Sequence, residues 1–289
     1  MKVVFLSAVP GHGATTSNMI ITSVMLAVGN RYQSVLFQSG ESLCGVDQYL
    51  LGESVSNNMV SELDYPFFYG KGIDALIKKV SAGKSINRDK KSILSCCMKI
   101  LEEGCYLLPT TTRKNRALYN QQMNMYVQDL ISWCNREFDI IFIDNKQDNQ
   151  ELYNRINEEA DLIVINTNQS HQNFERAVRI KDSLVNKKCV IVLGKYEPQC
   201  SDNYEKLRKM YRLSSEEMLT VRYDRNFLNA LMTGNAVSYI KECQTSAISI
   251  KSGIRAMRGD SYRSSETFAK SIRNFSQGFL KIMEEGVKN

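Results

Sequence analysis

Short runs of β-branched and other apolar residues alternate along the chain with longer segments in which apolar residues recur every three or four positions. The short runs are bounded by turn residues and predict strands, whereas the longer period predicts helices. Two runs, IIFID at 140–144 and LIVIN at 162–166, are apolar on both strand faces, as central parallel strands between two helix layers are. The pattern predicts an α/β fold with a mostly parallel seven-stranded sheet and helices on both faces.

The predicted strands are 2–8, 34–38, 105–108, 140–144, 162–166, 189–193 and 219–221. The predicted helices are 15–29, 72–80, 88–103, 113–136, 150–159, 171–184, 202–211 and 224–233. The stretches 54–70 and 244–264 show neither period and are predicted to be irregular. A last helix is predicted at 265–285.

A chain of 289 residues is long enough for one large domain or for two small ones. It has only four prolines, and no Pro/Gly/Ser-rich linker or internal repeat interrupts it. We therefore expect one domain over 1–243, followed at 244–289 by a polar connector and an amphipathic helix. That helix is expected to pack on the same domain or on a partner.

The last predicted helix carries a stripe of apolar residues at helical spacing. The stripe consists of Phe268, Ile272, Phe275, Phe279 and Ile282. It suits packing on a protein core or on a partner, and it also suits contact with a membrane surface. No segment approaches the roughly 18–20 apolar residues of a membrane span, and the N-terminal apolar run is too short for a signal peptide. We expect a cytoplasmic protein that reaches a membrane or a cell pole, if at all, through its partners.

The composition is that of a globular protein, with 43% hydrophobic and 24% charged residues, which excludes disorder, collagen and a coiled coil. A net charge of +6 permits a nucleic acid or an anionic membrane as partner without requiring one. The eight cysteines form no C-x-x-C pair, and the chain has only two histidines. We expect reduced, mostly buried thiols and neither a zinc ribbon nor a disulfide framework.

A glycine-containing turn lies between the first predicted strand and the first predicted helix. It reads Ala8-Val9-Pro10-Gly11-His12-Gly13-Ala14-Thr15-Thr16. Backbone N–H groups and a helix N-terminus can surround phosphates in such a turn. The candidate cofactor ligands in it are Gly11, His12, Gly13, Ala14, Thr15 and Thr16. An ordinary turn in which a threonine caps the helix would have the same composition.

The turn departs from the phosphate-loop pattern G-x-x-x-x-G-K-[ST] at two positions. Ala8 stands at the first glycine and Ala14 at the lysine, whereas Thr15 supplies the hydroxyl that ligates a metal ion in working loops. The turn therefore retains the backbone N–H donors and lacks the positive charge of the lysine.

Four further segments follow in the order and at the spacing of one known group of proteins. They are 138–144 (FDIIFID), 159–165 (EADLIVI), 192–198 (VLGKYEP) and 221–224 (VRYD). From its first strand to about Ile240, the chain resembles the MinD/ParA group of P-loop ATPases. The resemblance implies a P-loop NTPase fold, ATP and Mg²⁺ as cofactors, and a face-to-face homodimer.

The resemblance also implies roles for residues outside the turn. Asp144 ends the Walker B strand and is expected to share the metal ion with Thr15. Ser39 and Glu41 stand where the group has the motif D-x-D, whose second aspartate positions the metal ion or the attacking water. Glu41 and Asp144 are therefore the catalytic candidates.

Three more residues complete the expected nucleotide-binding set. Gly194 stands where the group has a base-reading asparagine, and Arg222 and Tyr223 precede the final helix at the sheet edge. The group's second, signature lysine is Val9 in this chain, so that both characteristic lysines are absent. Because these lysines stabilise phosphate charge, we expect weak to moderate nucleotide binding and slow hydrolysis or none.

Two residues could replace part of the lost charge. Lys146 follows Asp144 and could turn towards the γ-phosphate, or it could be an ordinary solvated lysine. His12 could contact a phosphate across a dimer interface, or it could be a solvent-facing turn residue.

Within the group, the chain is most similar to divergent TadZ/CpaE-like members, without their receiver-like domain. This similarity implies a positioning or assembly factor for a pilus, secretion or conjugation machine. The alternatives are a ParA-like DNA-partition ATPase and a scaffold that binds no nucleotide. DNA could contact Arg255, Arg258 and Arg263, which an ordinary solvated loop would also explain.

Overall fold

A computed structural model of the chain describes residues 1–30, 32–40, 45–51, 70–82, 93–110, 115–249 and 260–287. These residues form one eight-stranded sheet and ten helices. None of the helices among them is both long and apolar enough to cross a membrane.

The strands are β1 (Lys2–Ser7), β2 (Ser34–Gln38), β3 (Met98–Leu101), β4 (Cys105–Leu107), β5 (Ile140–Asp144), β6 (Leu162–Thr167), β7 (Cys189–Tyr196) and β8 (Met218–Arg222). Their order in the sheet is β3-β4-β2-β5-β1-β6-β7-β8. β2 pairs in parallel with β4 and β5, and β7 pairs in parallel with β6 and β8. Only the edge strand β3 is recorded as antiparallel to its neighbour among the described pairs. The α/β class and the mostly parallel sheet are therefore confirmed.

The helices are α1 (Thr15–Asn30), α2 (Val46–Leu51), α3 (Gly72–Ser81), α4 (Arg116–Glu137), α5 (Gln150–Glu159), α6 (His171–Ser183), α7 (Tyr204–Met210), α8 (Arg225–Met232), α9 (Ala236–Ser249) and α10 (Asp260–Val287). Asparagine side chains cap three of them, since Asn115, Asn149 and Asn203 each accept a hydrogen bond from a backbone N–H three residues later. Helix α9 was not predicted, and α10 begins before the predicted start of the last helix at residue 265. Residues 244–249 of the predicted irregular stretch continue α9, and the stretch 54–69 lies outside the described residues.

The predicted helix 88–103 is wrong over its last part. Met98–Leu101 forms strand β3, so that the sheet has eight strands instead of seven. A turn closed by the hydrogen bond from Gly104 N to the Leu101 carbonyl leads from β3 into β4, and Gly104 adopts a φ of 115° that favours glycine. The edge of β4 provides backbone partners for this segment, and such a tertiary contact overrides local helical periodicity.

The chain contacts divide the protein into two compact units. The first comprises Met1–Val4, Ala27–Asp161 and Met232–Asn235, and the second comprises Phe5–Leu26, Leu162–Leu231 and Ala236–Asn289. In the first unit, α4 packs against α3 and α5 beside the paired strands β2, β4 and β5. In the second unit, α10 packs on β8 and α9, and α6 covers β6 and β7.

The apolar stripe of α10 is buried within the second unit. All five of its members are at most 2% exposed. The Phe279 ring lies 6.4 Å from that of Phe5, and the Phe268 ring lies 5.0 Å from that of Phe227. The stripe therefore packs against the protein itself, as one of the two sequence interpretations has it.

The described cysteines are all free, and five of the seven are buried. Burial raises the pKa of the Cys134 thiol to about 12, and it also raises the pKa of the Cys97 thiol. These thiols remain protonated near neutral pH and act as small apolar core residues.

Replacing Phe279 by alanine should lower the free energy of unfolding by about 3–5 kcal/mol, because it empties a fully buried site beside Phe5. Asn274→Ala changes the exposed face of the same helix and should alter stability by less than about 0.5 kcal/mol. Urea unfolding of both variants measures the difference. Equal stability of the two variants would show that the stripe does not hold α10 on the unit.

Candidate functional site

The glycine-containing loop connects β1 to α1 by a series of tight turns. Ser7 Oγ donates to the Val9 carbonyl at 2.6 Å, and His12 N donates to the same carbonyl at 3.1 Å. The first helical hydrogen bond of α1 runs from Asn18 N to the Ala14 carbonyl at 2.9 Å. The N–H groups of residues 15–17 therefore lie at the positive end of the helix dipole, and the first turn has no acidic residue.

Two buried asparagines fix the position of the loop by hydrogen bonds. The sequence analysis did not identify either of them. Asn18 Nδ2 donates to Asn166 Oδ1 at 2.8 Å, and Asn166 Nδ2 donates to the carbonyls of Leu6 and Val164. The Asn166 carbonyl accepts a hydrogen bond from Ala8 N at 2.8 Å. A polar residue inside the apolar run LIVIN was the signal that could have identified Asn166.

The loop backbone packs closely against two strands of the same unit. A Cβ atom on Gly13 would lie 2.5 Å from the Asn166 carbonyl oxygen, and a Cβ atom on Gly194 would lie 2.3 Å from the Gly13 carbonyl oxygen. Real Cβ atoms essentially never approach so closely, so both positions require glycine. Gly194 therefore makes room for the loop at the position where a base-reading asparagine was expected.

A cleft of the second unit brings predicted residues together. Ala14, Arg222 and Tyr223 line it, and Ser17, Asn18 and Phe227 are also in its wall. Its volume is about 40 Å³, which suits one or two water molecules and not a nucleotide base. The cleft must widen before a base can enter it.

Lys195 also lines this cleft and was not among the predicted site residues. It lies within an irregularity in the pairing of β7 with β8 and adopts a φ of 54°, unusual for a residue with a side chain. Ala14 has a similar φ of 55° at the start of α1. Lys195 and Arg222 thus line the same cleft as Ala14, which stands at the position of the loop lysine.

The remaining loop candidates differ in exposure. Gly11, with a φ of 80°, and His12 are exposed, whereas Thr15 is only 9% exposed and Thr16 is partly buried. The role of His12 across a dimer interface stays a prediction.

In the first unit, Asp144 ends β5 with a side chain only 1% exposed. Lys146 Nζ donates to Asp144 Oδ2 at 2.7 Å, and the Lys146 side chain is 34% exposed. Lys146 is therefore an ion-pair partner of the expected metal ligand.

Hydrogen bonds fix the segment around this pair. Ser39 Oγ accepts from Lys146 N at 2.9 Å and donates to Asn145 Oδ1 at 3.0 Å. Asn145 Nδ2 donates to Asn157 Oδ1 at 2.9 Å, and the Tyr119 hydroxyl donates to the Ser39 carbonyl at 3.0 Å. Ser39 thus joins the ends of two strands through its hydroxyl group.

The arrangement at Asp144 does not fit a divalent cation on the same oxygen, because the Lys146 ammonium already contacts Oδ2. Among the described side chains, no group of three or more His, Cys, Asp and Glu residues is arranged to hold a metal ion. Thr15 belongs to the second unit and Asp144 to the first. Their joint role in metal binding stays a prediction. Glu41, Arg255 and Arg258 and the side chain of Arg263 lie outside the described part of the chain.

Known structures share this fold. A ParA family ATPase from Chlorobium tepidum superimposes with a TM-score of 0.64 at 13% identity, covering 96% of this chain and 97% of its own. MinD in the MinC:MinD cell division complex of Aquifex aeolicus superimposes with a TM-score of 0.55 at 13% identity, covering 89% of this chain and 98% of its own. MinD of Pyrococcus horikoshii, complexed with Mg-ADP, superimposes with a TM-score of 0.52 at 12% identity, covering 89% of this chain and 100% of its own. No protein-family profile and no curated protein matches the sequence.

The chain therefore has the fold of the MinD- and ParA-type P-loop ATPases over almost its whole length. This agrees with the resemblance found in the sequence motifs. At such low identity the similarity shows the fold, and the chemistry must be argued from the residues of this chain.

Replacing Gly194 by asparagine should destabilise the protein by about 1–3 kcal/mol, because the new Cβ atom would collide with the Gly13 carbonyl. Gly11→Asn is the matched control. A Cβ atom there meets nothing within 4 Å, and asparagine tolerates a φ of 80°. Denaturant unfolding measures both variants, and equal losses would refute the close packing of loop and strand.

Proposed function

We propose that the protein binds a nucleotide, most simply ATP, through the loop and the adjoining cleft of its second unit. One observation carries this proposal: Lys195 and Arg222 line a cleft together with Ala14, at the N-terminus of α1. Helix N-termini favour phosphate, and two nearby cations add to that preference.

The missing loop lysine sets the expected strength of binding. A unit charge about 4 Å from a phosphate contributes roughly 4 kcal/mol at an effective dielectric constant near 20. Lys195 and Arg222 lie in the cleft wall and not within the loop. They therefore replace only part of this contribution to the binding free energy. We therefore propose binding that is weaker than in lysine-bearing loops.

Hydrolysis is proposed to be slow or absent. Phosphoryl transfer depends on positive groups that stabilise the charge of the transition state, and the loop carries none at positions 9 and 14. Nucleotide then acts as a switch or as a bridge between two copies of the chain.

In the cell, we propose a homodimeric positioning or assembly factor of the TadZ/CpaE kind, serving a pilus, secretion or conjugation machine. The motif order of the sequence supports the group, and fold neighbours include a ParA family ATPase and a MinD in complex with MinC. Recruitment to a membrane or cell pole would then come from partners, because the apolar stripe of α10 is buried.

A scaffold without nucleotide is the second candidate, and the small cleft favours it. The volume of about 40 Å³ leaves no space for a base unless Arg222 and Tyr223 move. A titration with a fluorescent ATP analogue separates the two candidates. Saturable binding below about 1 mM supports the nucleotide switch, and no binding at that concentration supports the scaffold.

Lys195→Met should weaken nucleotide binding by about tenfold, because it removes one cation from the cleft. Lys206→Met is the control, since Lys206 lies in α7 of the same unit and pairs with Asp202 at 2.6 Å. The same fluorescent titration reports both affinities. Equal affinity of the two variants would exclude Lys195 from the binding site.

Ala14→Lys restores the cation of the loop and should strengthen ATP binding by about 10–100-fold. Ala14→Gln adds a long neutral side chain at the same φ of 55° and controls for backbone strain. If glutamine strengthens binding as much as lysine does, charge is not what the loop lacks.

A further inference from the structure

Lys146 is held at three points along its length. Its backbone N–H donates to Ser39 Oγ at 2.9 Å, and its ammonium donates to Asp144 Oδ2 at 2.7 Å. Its stem lies against Gly40, where an added Cβ atom would come within 2.9 Å of Lys146 Cβ and Cγ. A lysine that simply pointed into solvent would need none of these contacts.

The ion pair between Lys146 and Asp144 balances a buried charge in the first unit. The Asp144 side chain is 1% exposed, and a buried carboxylate requires a counter-charge. In P-loop proteins a metal ion lies near the corresponding carboxylate. Here an ammonium group that belongs to the chain itself contacts the carboxylate instead. A second cation on the same oxygen would be repelled by the ammonium.

The neighbouring residues fit this use of the site. Ser39 stands where the resemblance implies a carboxylate, and it uses its hydroxyl to bind Lys146 N and Asn145 Oδ1. A neutral Ser39 leaves Asp144 paired with one positive charge, where a second carboxylate would have favoured a divalent ion.

We propose that the Lys146 ammonium takes the place of a divalent cation on Asp144. Lys146 is thus a built-in counter-ion that neutralises Asp144. This exclusion of a metal ion from Asp144 does not depend on the proposed function.

The test of this proposal needs no nucleotide. A ligand that binds only the folded state raises the melting temperature, so Mg²⁺ should stabilise Lys146→Met relative to an equal ionic strength of NaCl. Wild type, Lys146→Arg and the double variant Asp144→Asn/Lys146→Met should show no such increase.

The melting temperatures decide the role of Lys146 whether or not the protein binds a nucleotide. A wild-type melting temperature that rises with Mg²⁺ and loses the rise in Asp144→Asn overturns the proposal. So does a folded Lys146→Met variant that is indifferent to Mg²⁺. If Lys146→Met does not fold, wild type and Lys146→Arg decide by their response to Mg²⁺.

Discussion

The structure of the candidate site depends on the close packing of Gly13 against Asn166 and Gly194. The distances leave no room for a Cβ atom at either glycine. The Asn18–Asn166 hydrogen bond then fixes α1 relative to β6, and with it the direction of the helix N-terminus. Because Gly194 is needed for packing, it cannot also carry the side chain that would read a base. The proposed nucleotide recognition therefore uses residues other than Gly194, namely those that line the cleft.

The positive charges that the loop lacks are found elsewhere. In the second unit, Lys195 and Arg222 share a cleft with Ala14, which stands where the loop lysine would be. In the first unit, Lys146 neutralises the buried Asp144. Cations at these places hold charge in fixed ion pairs or at the rim of a cleft, and they do not surround the phosphates from within the loop. Such an arrangement suits binding better than phosphoryl transfer.

Local patterns of the sequence predicted the fold well where strands are buried on both faces. The runs IIFID and LIVIN lie in β5 and β6, within one residue of the expected bounds. Strand β3 could not be predicted, because its helical period is overridden by pairing with β4. The site was predicted as a set of residues and not as contacts. No periodicity shows that Gly194 meets Gly13, that Lys195 enters the cleft, or that Lys146 pairs with Asp144.

We propose that Lys195 and Arg222 replace the cations that the loop lacks, and that the Lys146 ammonium replaces a metal ion on Asp144. A crystal structure of the wild-type protein with a non-hydrolysable ATP analogue and Mn²⁺ tests this proposal most directly, because Mn²⁺ is located by its anomalous scattering. The account predicts a triphosphate against the N-terminus of α1, the Lys146 ammonium still on Asp144, and no anomalous peak at that carboxylate. A Mn²⁺ ion bound to Asp144, with Lys146 displaced, would contradict it.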